Sequence, residues 1–386
     1  MEFLLWLSVL FATATSAVFL WGLWKLLTHP KVQKKIKAVV SYFTLTREGS
    51  NPILKLGLYE WENVGVLNPA AVDIGGRVHL FYRAIGADGV SRIGYSSSSD
   101  GIHFDERLPY PVYMLDAEST DDTKRRRDVL AKSPGLVASG GSWIGIEDPR
   151  AIVLDNRVYL SFSAFLGWDS LRIGVVSITV DDLVAKRWKW SRPIFLTEPK
   201  QVHKNWVLFP EKIDGKIAIL HGFGDGARDT ALIEYVDSID QEPAVYIQSD
   251  PKHRNDFQEL EWDSRVRGAG PPPVKTPYGW LVLYHANDAR EMHRYKLGAL
   301  LLDLSDPTCI IARSNEPILA PDEYYENDGK PGIVYACGAV VRDGILRVYY
   351  GGGDKVVCTA SAPLEEFVQN LMKNEPLKLT SSMVQM

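Results

Sequence analysis

Beyond Ser50 the chain repeats one pattern of apolar and polar positions five times. A proline or glycine entry leads into a short apolar strand, a turn centred on Gly or Asp, and a second strand ending in aromatic or polar residues; a loop and a third strand follow. The stretches are "NPAAVDIGGRVHLFYRA", "DPRAIVLDNRVYLSFSA", "FPEKIDGKIAILHG", "PPPVKTPYGWLVLYHA" and "CGAVVRDGILRVYYGG", with third strands at "RIGYSSS", "LRIGVVSI", "ALIEYV", "KLGALLLDL" and "VVCTAS". The second strands begin near Val78, Val158, Ile217, Trp280 and Leu346, spaced by 80, 59, 63 and 66 residues. A period of this size holds four strands with their loops, and five such units predict an all-β chain: a five-bladed β-propeller over 51–371 followed by a tail over 372–386. A six-bladed closure and a β-sandwich are the alternatives.

The N-terminus has a different pattern. From Phe3 to Leu27 the chain is apolar apart from small hydroxyl residues and Lys25, long enough for a helix to cross a bilayer core of roughly 30 Å. Glu2 stands where a cleaved signal would carry positive charge, and the apolar run resumes after "ATATSA" with "VFLWGLW", which favours an uncleaved anchor. The expectation is a transmembrane helix within 1–28 and a basic linker over 29–50. Lys31, Lys34, Lys35 and Lys37 in that linker place the following domain on the cytoplasmic side of the membrane.

Composition narrows the function. The 386 residues are 46% hydrophobic and 24% charged with a formal net charge of -5, so a large core is available and the scattered basic residues make no nucleic-acid surface. Cys309, Cys337 and Cys358 are odd in number and lack C-x-x-C spacing, a pattern of buried reduced thiols. His203, His221 and His285 lie near strand ends with irregular spacing, and no metal is expected. No G-x-S-x-G elbow, P-loop, H-E-x-x-H or helix-opening G-x-G-x-x-G is present. The glycine-rich "GGGD" at 351–354 lies between two strands, away from any helix N-terminus.

The candidate chemistry gathers at "GIEDPRAIV", residues 145–153, where Glu147, Asp148 and Arg150 crowd the mouth of a strand. If each unit's first strand lines a central channel, Asn68, Asp148, Phe209, Pro271 or Pro272, and Cys337 occupy matching positions around it, and Asp148 stands at a converging rim. Spacing alone fits equally well an exposed turn whose ion pair is worth about 0 to 1 kcal/mol. Trp143, Trp168 and Trp206 fall beside candidate rim loops, where their faces suit the C–H patches of sugar rings.

These segments resemble glycoside hydrolase family 130, the five-bladed propellers that include β-mannoside phosphorylases and some β-mannosidases. The resemblance runs from about Asn51 to Leu371 and is carried, in order, by "NPAAV", "LFYRA", "SSSDGIHF", "IEDPR", "KNWVLFPEKIDGK", "GAGPPPVKTPYGWLVLYHA", "LGALLLDLSDP", "EPILAP" and "GAVVRDGILRVYYGGGDKV". It implies an inverting phosphorylase in which Asp148 protonates the glycosidic oxygen by way of the mannosyl 3-hydroxyl while inorganic phosphate attacks the anomeric carbon, giving α-mannose 1-phosphate. Phosphate arrives already charged and needs no second carboxylate as base. It needs cations, and the resemblance assigns Arg172, Lys204, Tyr284 and His285 to it, with Arg192 (or Arg187) as a second arginine. Asn68, Arg83 and Asp354 are implied at the mannose, and Glu147 and Arg150 of the motif are counted with them. Inorganic phosphate is then a co-substrate and no cofactor is needed; a β-mannoside oligosaccharide or glycoconjugate is the partner, with self-association as a homo-oligomer left open. The chain departs from the family pattern at "HGFGDG", "HKNW" and "YYGGGD". A hydrolase using Glu211 or Glu147 as base, and a non-catalytic glycan-binding domain, are the alternatives.

Overall fold

The computed structural model describes residues 21, 24, 25, 44–115, 142, 144–166, 170–223, 230–241, 246–247 and 262–373. Contacts divide the chain into Met1–Thr44 and Leu45–Met386. In the first unit Trp21, Trp24 and Lys25 are helical and exposed, with the Lys25 ammonium 4.2 Å above the Trp21 ring. The rest of the expected anchor over 1–28 lies outside the described residues. Among the described residues no helix is long and apolar enough to cross a membrane, which corrects the expected transmembrane helix and, with it, the membrane partner and the single-pass cytoplasmic placement. The physical reason is that an apolar run of bilayer length shows tolerance of lipid, not an uninterrupted apolar helix.

The second unit is mostly β. Its first strand, β1 (Thr46–Arg47), is followed by five antiparallel meanders. The first contains β2 (Gly65–Ile74), β3 (Arg77–Ile85), β4 (Val90–Ser98) and β5 (Glu106–Arg107); the second β6 (Ile144–Leu154), β7 (Arg157–Phe165), β8 (Leu171–Thr179) and β9 (Ile194–Phe195). The third contains β10 (Val207–Ile213), β11 (Lys216–Phe223) and β12 (Ala231–Val236). The fourth contains β13 (Arg265–Ala269), β14 (Val274–Thr276), β15 (Gly279–Asn287), β16 (Lys296–Leu302) and β17 (Ile310–Arg313); the fifth β18 (Val334–Arg342), β19 (Ile345–Gly352) and β20 (Val356–Pro363). β1 pairs with β20, so the start of this unit completes its last sheet. Among the described residues of this unit, two short helices, α1 (Val180–Val184) and α2 (Leu364–Lys373), follow β8 and β20.

Local chemistry sets the hairpins. Gly75-Gly76, Asp155-Asn156, Asp214-Gly215 and Asp343-Gly344 all have positive φ, the two-residue turn whose twist matches paired strands and which Gly, Asn and Asp tolerate. The strands between these turns are buried on both faces. On β7, Val158, Leu160 and Phe162 pack with Phe81 and Ile93 of the first meander, while Tyr159 faces Leu208 and Ile219 of the third. This two-sided burial explains why "RVYLSFSAF" reads as nearly continuous apolar sequence rather than as a half-buried alternation. Similar layers join the third meander to the fourth and the fifth to the first. Cys337 and Cys358 are buried thiols as expected, whereas Cys309 is exposed on a loop.

Candidate active site

Each meander's first strand loses register with its partner at one place: between Leu67 and Ala70 in β2, Glu147 and Arg150 in β6, Leu208 and Lys212 in β10, Val266 and Gly268 in β13, and Ala336 and Gly338 in β18. A bulge re-aims the side chain it carries. In β2 and β6 the bulged residues are Asn68 and Asp148, each followed by a proline that donates no ladder bond. Both adopt the left-handed conformation, with φ of 47° and 49°, which Asn and Asp bear better than most side chains.

The two bulges bring these side chains together. Asn68 Nδ2 donates to Asp148 Oδ1 at 2.7 Å. Arg83, on β3 and only 2% exposed, spans both acids of the motif: Nη1 donates to Asp148 Oδ1 at 3.2 Å and Nη2 to Glu147 Oε1 at 3.0 Å. Its Nε and Nη2 also reach the hydroxyls of Ser91 and Ser142. Lys204 Nζ donates to Glu147 Oε2 at 2.9 Å. Three cations, Arg83, Arg150 and Lys204, thus surround two carboxylates. Burial pushes the Asp148 pKa up, but the charges of Arg83, Lys204 and Arg150 and the Asn68 amide outweigh it and hold the carboxyl down at about 2. Before any ligand arrives, Asp148 is a carboxylate.

Arg150 has a different place. It is buried, and its donors go to Asp148 O at 2.7 Å, Gly270 O at 2.8 Å and Asn205 Oδ1 at 2.9 Å. Asn205 also accepts from Tyr335 OH at 2.6 Å, so this guanidinium ties β6 to the segment before β10 and to the fourth meander, and through Asn205 to the fifth. Tyr335 stacks on His285 with centroids 3.8 Å apart. His285 is fully buried, and burial together with the Arg150 charge lowers its pKa to about 3.

The structure therefore gathers Asn68, Arg83, Glu147, Asp148, Arg150, Lys204 and His285. Asp354 joins their edge: it sits in the turn after β19 with φ 51°, 3.4 Å from Lys330 Nζ, and its charge acts on Arg83. Arg172 lies on β8 with Nε on Thr197 O, its guanidinium 4.1 Å from the Phe195 ring centroid, and Nη2 buried without a partner.

The other expected residues have these places. Tyr284 precedes His285 on a strand and so points to the opposite face, where it donates to Asp263 Oδ2 at 2.6 Å beside Arg313 inside the fourth meander. Arg192 is exposed, on a segment whose Ser191 bonds to Ser177, toward the end of β8 away from Arg172; Arg187 pairs with Asp182. Arg150 has its donors on protein acceptors, because a fully buried guanidinium must find them. Trp206 is core, packed between His203 and His221, and Trp143 and Trp168 lie outside the described residues. In the fourth meander the bulge falls at Arg267, not at Pro271 or Pro272, since a proline run cannot hold a ladder and β13 pairs before it. Arg267 is exposed with its guanidinium over the Tyr295 ring. It and Asn205 were not anticipated; "VRGAG", a strand fragment ahead of the prolines, is the signal that would have found Arg267.

A mostly-β chain with one re-aimed aspartate amid buried cations has the make-up of a carbohydrate-active enzyme site, and the comparisons agree. Residues 131–374 match the family model described as beta-1,4-mannooligosaccharide phosphorylase. The chain is 34% identical over 326 residues to a 1,2-beta-oligomannan phosphorylase of Thermoanaerobacter sp. (strain X514), covering 80% of this chain and 93% of that one. It is 35% identical to a beta-1,2-mannobiose phosphorylase of the same organism, covering 81% and 95%. Among solved structures, the Listeria innocua beta-1,2-mannobiose phosphorylase in complex with beta-1,2-mannobiose superposes with a TM-score of 0.63 at 23% identity, covering 85% of this chain and 99% of that one, a likeness of fold. The chain belongs to glycoside hydrolase family 130.

Proposed function

We propose that this enzyme is an inverting phosphorylase of β-mannosides, with β-1,2-linked mannose as the linkage. It cleaves the bond between mannose C1 and the glycosidic oxygen, joins C1 to an oxygen of inorganic phosphate, and releases α-mannose 1-phosphate and the shortened acceptor. Asp148 supplies the proton that ends on the leaving oxygen, relayed through a sugar hydroxyl, and hydrogen phosphate gives up the proton it carries, so the net reaction conserves protons. The β-1,2 assignment follows the two Thermoanaerobacter relatives.

The observation that carries this reading is the imbalance of the site: one carboxylate at a bulge, several cations, and, among the described residues, neither Glu147 nor Glu211 set to activate water. Glu147 is wholly buried with an oxygen on each of Arg83 and Lys204. Glu211 is half exposed on β10 and pairs with Lys275 on β14. An inverting hydrolase needs a second carboxyl roughly 6.5 to 9.5 Å from the acid with room for water between them, and neither side chain suits that part. Phosphate suits what is present: Lys204 Nζ, partly exposed, and the unpartnered Nη2 of Arg172 are the donors a dianion selects. Its charge also offsets the cations that hold Asp148 ionised, so the acid gains its proton when the co-substrate binds. Asn68, Arg83 and Asp354 are the groups left for the mannose, and His285, covered by Tyr335, serves as a neutral wall of the same pocket.

The test is product analysis with β-1,2-mannobiose, β-1,4-mannobiose and 4-O-β-mannosylglucose, with and without inorganic phosphate. Mannose 1-phosphate from the β-1,2 substrate, formed only with phosphate present, is the expected result. Free mannose at the same rate in both conditions would overturn the phosphorylase assignment, and turnover of a β-1,4 substrate alone would overturn the linkage.

A further inference from the structure

We propose that Glu147 is a positioning residue for the proton on Asp148: its buried carboxylate divides itself between Arg83 and Lys204, draws part of both charges away from Asp148, and so sets the pH below which that acid carries its proton. The inference rests on the phosphorylase reading and deepens it.

The geometry is specific. Glu147 and Asp148 are neighbours in sequence, and the bulge turns them so that one guanidinium serves both, Arg83 Nη2 to Glu147 Oε1 and Nη1 to Asp148 Oδ1. The other oxygen of Glu147 holds Lys204. At 0% exposure Glu147 cannot present itself to a sugar or a water, yet a buried carboxylate is costly unless it does something for the charges around it. The groups facing Asp148 come from every side: Arg83 from β3, Glu147 and Arg150 from β6, and Lys204 from the segment before β10. His285 on β15 and Tyr335 and Cys337 on β18 also face it, while Asp354 acts on Arg83 from behind. Near neutrality His285 has lost its proton and Tyr335 and Cys337 keep theirs. Glu147 is therefore the anion that tempers the two cations nearest the acid. Removing a unit charge this close moves a carboxyl's titration by about 1 to 3 pH units.

The experiment compares wild type, Glu147→Gln and Glu147→Asp as full chains, measuring phosphorolysis of β-1,2-mannobiose at saturating inorganic phosphate from about pH 5 to 9. Because Asp148 must be protonated to act, kcat falls on the alkaline side. The expected result for Glu147→Gln is an alkaline limb displaced downward by about one pH unit or more, so that kcat on that limb falls about tenfold or more. Its KM for phosphate should stay or fall because Lys204 is released. Glu147→Asp keeps the charge and should keep the wild-type limb even with a lower kcat. A Glu147→Gln limb that coincides with wild type overturns the proposal and leaves a scaffold residue. If Glu147→Gln does not fold, the Arg83→Gln/Glu147→Gln double variant is compared with Arg83→Gln: its limb should lie below that of Arg83→Gln because Lys204 is released toward Asp148, and coincident limbs overturn the proposal. If wild type makes no mannose 1-phosphate, the phosphorylase reading fails on its own. Calorimetry of inorganic phosphate binding then decides for Glu147: affinity about threefold higher or more in Glu147→Gln supports the charge role, and weaker binding overturns it.

Discussion

Asp148 is a residue whose neighbours oppose its proposed task until a ligand joins them. Arg83, Arg150, Lys204 and Asn68 favour its ionised form, whereas a general acid must hold a proton. Replacing it with Asn keeps the shape, and the bond from Arg83 passes to a neutral oxygen. Asp148→Asn is expected to lower kcat by about 10² to 10⁴-fold, the usual contribution of a positioned acid, with an unchanged circular dichroism spectrum. A variant retaining more than about a tenth of the wild-type rate would remove Asp148 from the acid role. Arg83 carries comparable weight, because one side chain bonds Asp148, Glu147, Ser91 and Ser142. Breaking a buried pair of this kind on one side leaves an uncompensated charge and costs about 3 to 5 kcal/mol, so loss of activity in Arg83 variants has to be read beside their melting temperature.

At the scale of elements, the site exists because bulged strands approach one another closely enough for short side chains to meet. Gly351 on β19 marks the tightest place: a Cβ there would lie 2.0 Å from Asn68 Oδ1 and 2.9 Å from the Asn68 backbone nitrogen. Gly351→Ala is therefore expected to push Asn68 off Asp148 and lower kcat about tenfold or more, by way of a lost hydrogen bond to a charged group worth about 1.5 to 3 kcal/mol. A crystal structure or kcat indistinguishable from wild type would contradict this. Much at this scale was legible in the chain. The second strands beginning near Val78, Val158, Ile217, Trp280 and Leu346 are β3, β7, β11, β15 and β19; two-residue Gly, Asn and Asp turns announce four of the five hairpins, and Pro277-Tyr278 turns that of the fourth meander. The bulges in "NPAAV" and "EDPR" did not follow from the strand pattern, although an Asn or Asp that tolerates positive φ ahead of a proline is their local signal. Burial direction was not legible. Tyr284 and His285 read as a pair, yet a strand sends neighbours to opposite faces, and only the tertiary layers show which face is the pocket. Arg192 stands on the segment before "PIF" where the resemblance implies a second phosphate arginine, yet the return from β8 to β9 carries it toward the end of β8 away from Arg172. Arg267 lies four residues before Pro271, because the bulge of β13 comes ahead of the proline run.

For the compact body as a whole, the buried neutral histidines give a handle on stability. His285 on β15 is lowered to about 3 and His221 on β11 to about 4, and His79 and His203 are lowered as well, in each case first by burial. Their unfolded pKa is about 6.5. As pH falls below that value the unfolded chain binds protons that the folded chain refuses, so stability is full above about pH 6.5 and is lost on acidification until the folded pKa is reached. Each such histidine contributes a slope of about 1.4 kcal/mol per pH unit, so His285 alone costs the folded state about 2 kcal/mol at pH 5. Asp148 does not offset this: a carboxyl held at about 2 adds stability above its ordinary pKa and loses it only as pH falls from about 4 toward 2. Urea unfolding between pH 6.5 and 4 should show wild-type stability declining steeply. In His285→Gln the decline should be shallower by about 1.4 kcal/mol per pH unit, whatever the absolute cost of losing the stack on Tyr335. Equal slopes for the two proteins would mean that His285 takes up its proton in the folded state, which requires water or an anion beside it and would open the wall formed by His285 and Tyr335 to the phosphate pocket.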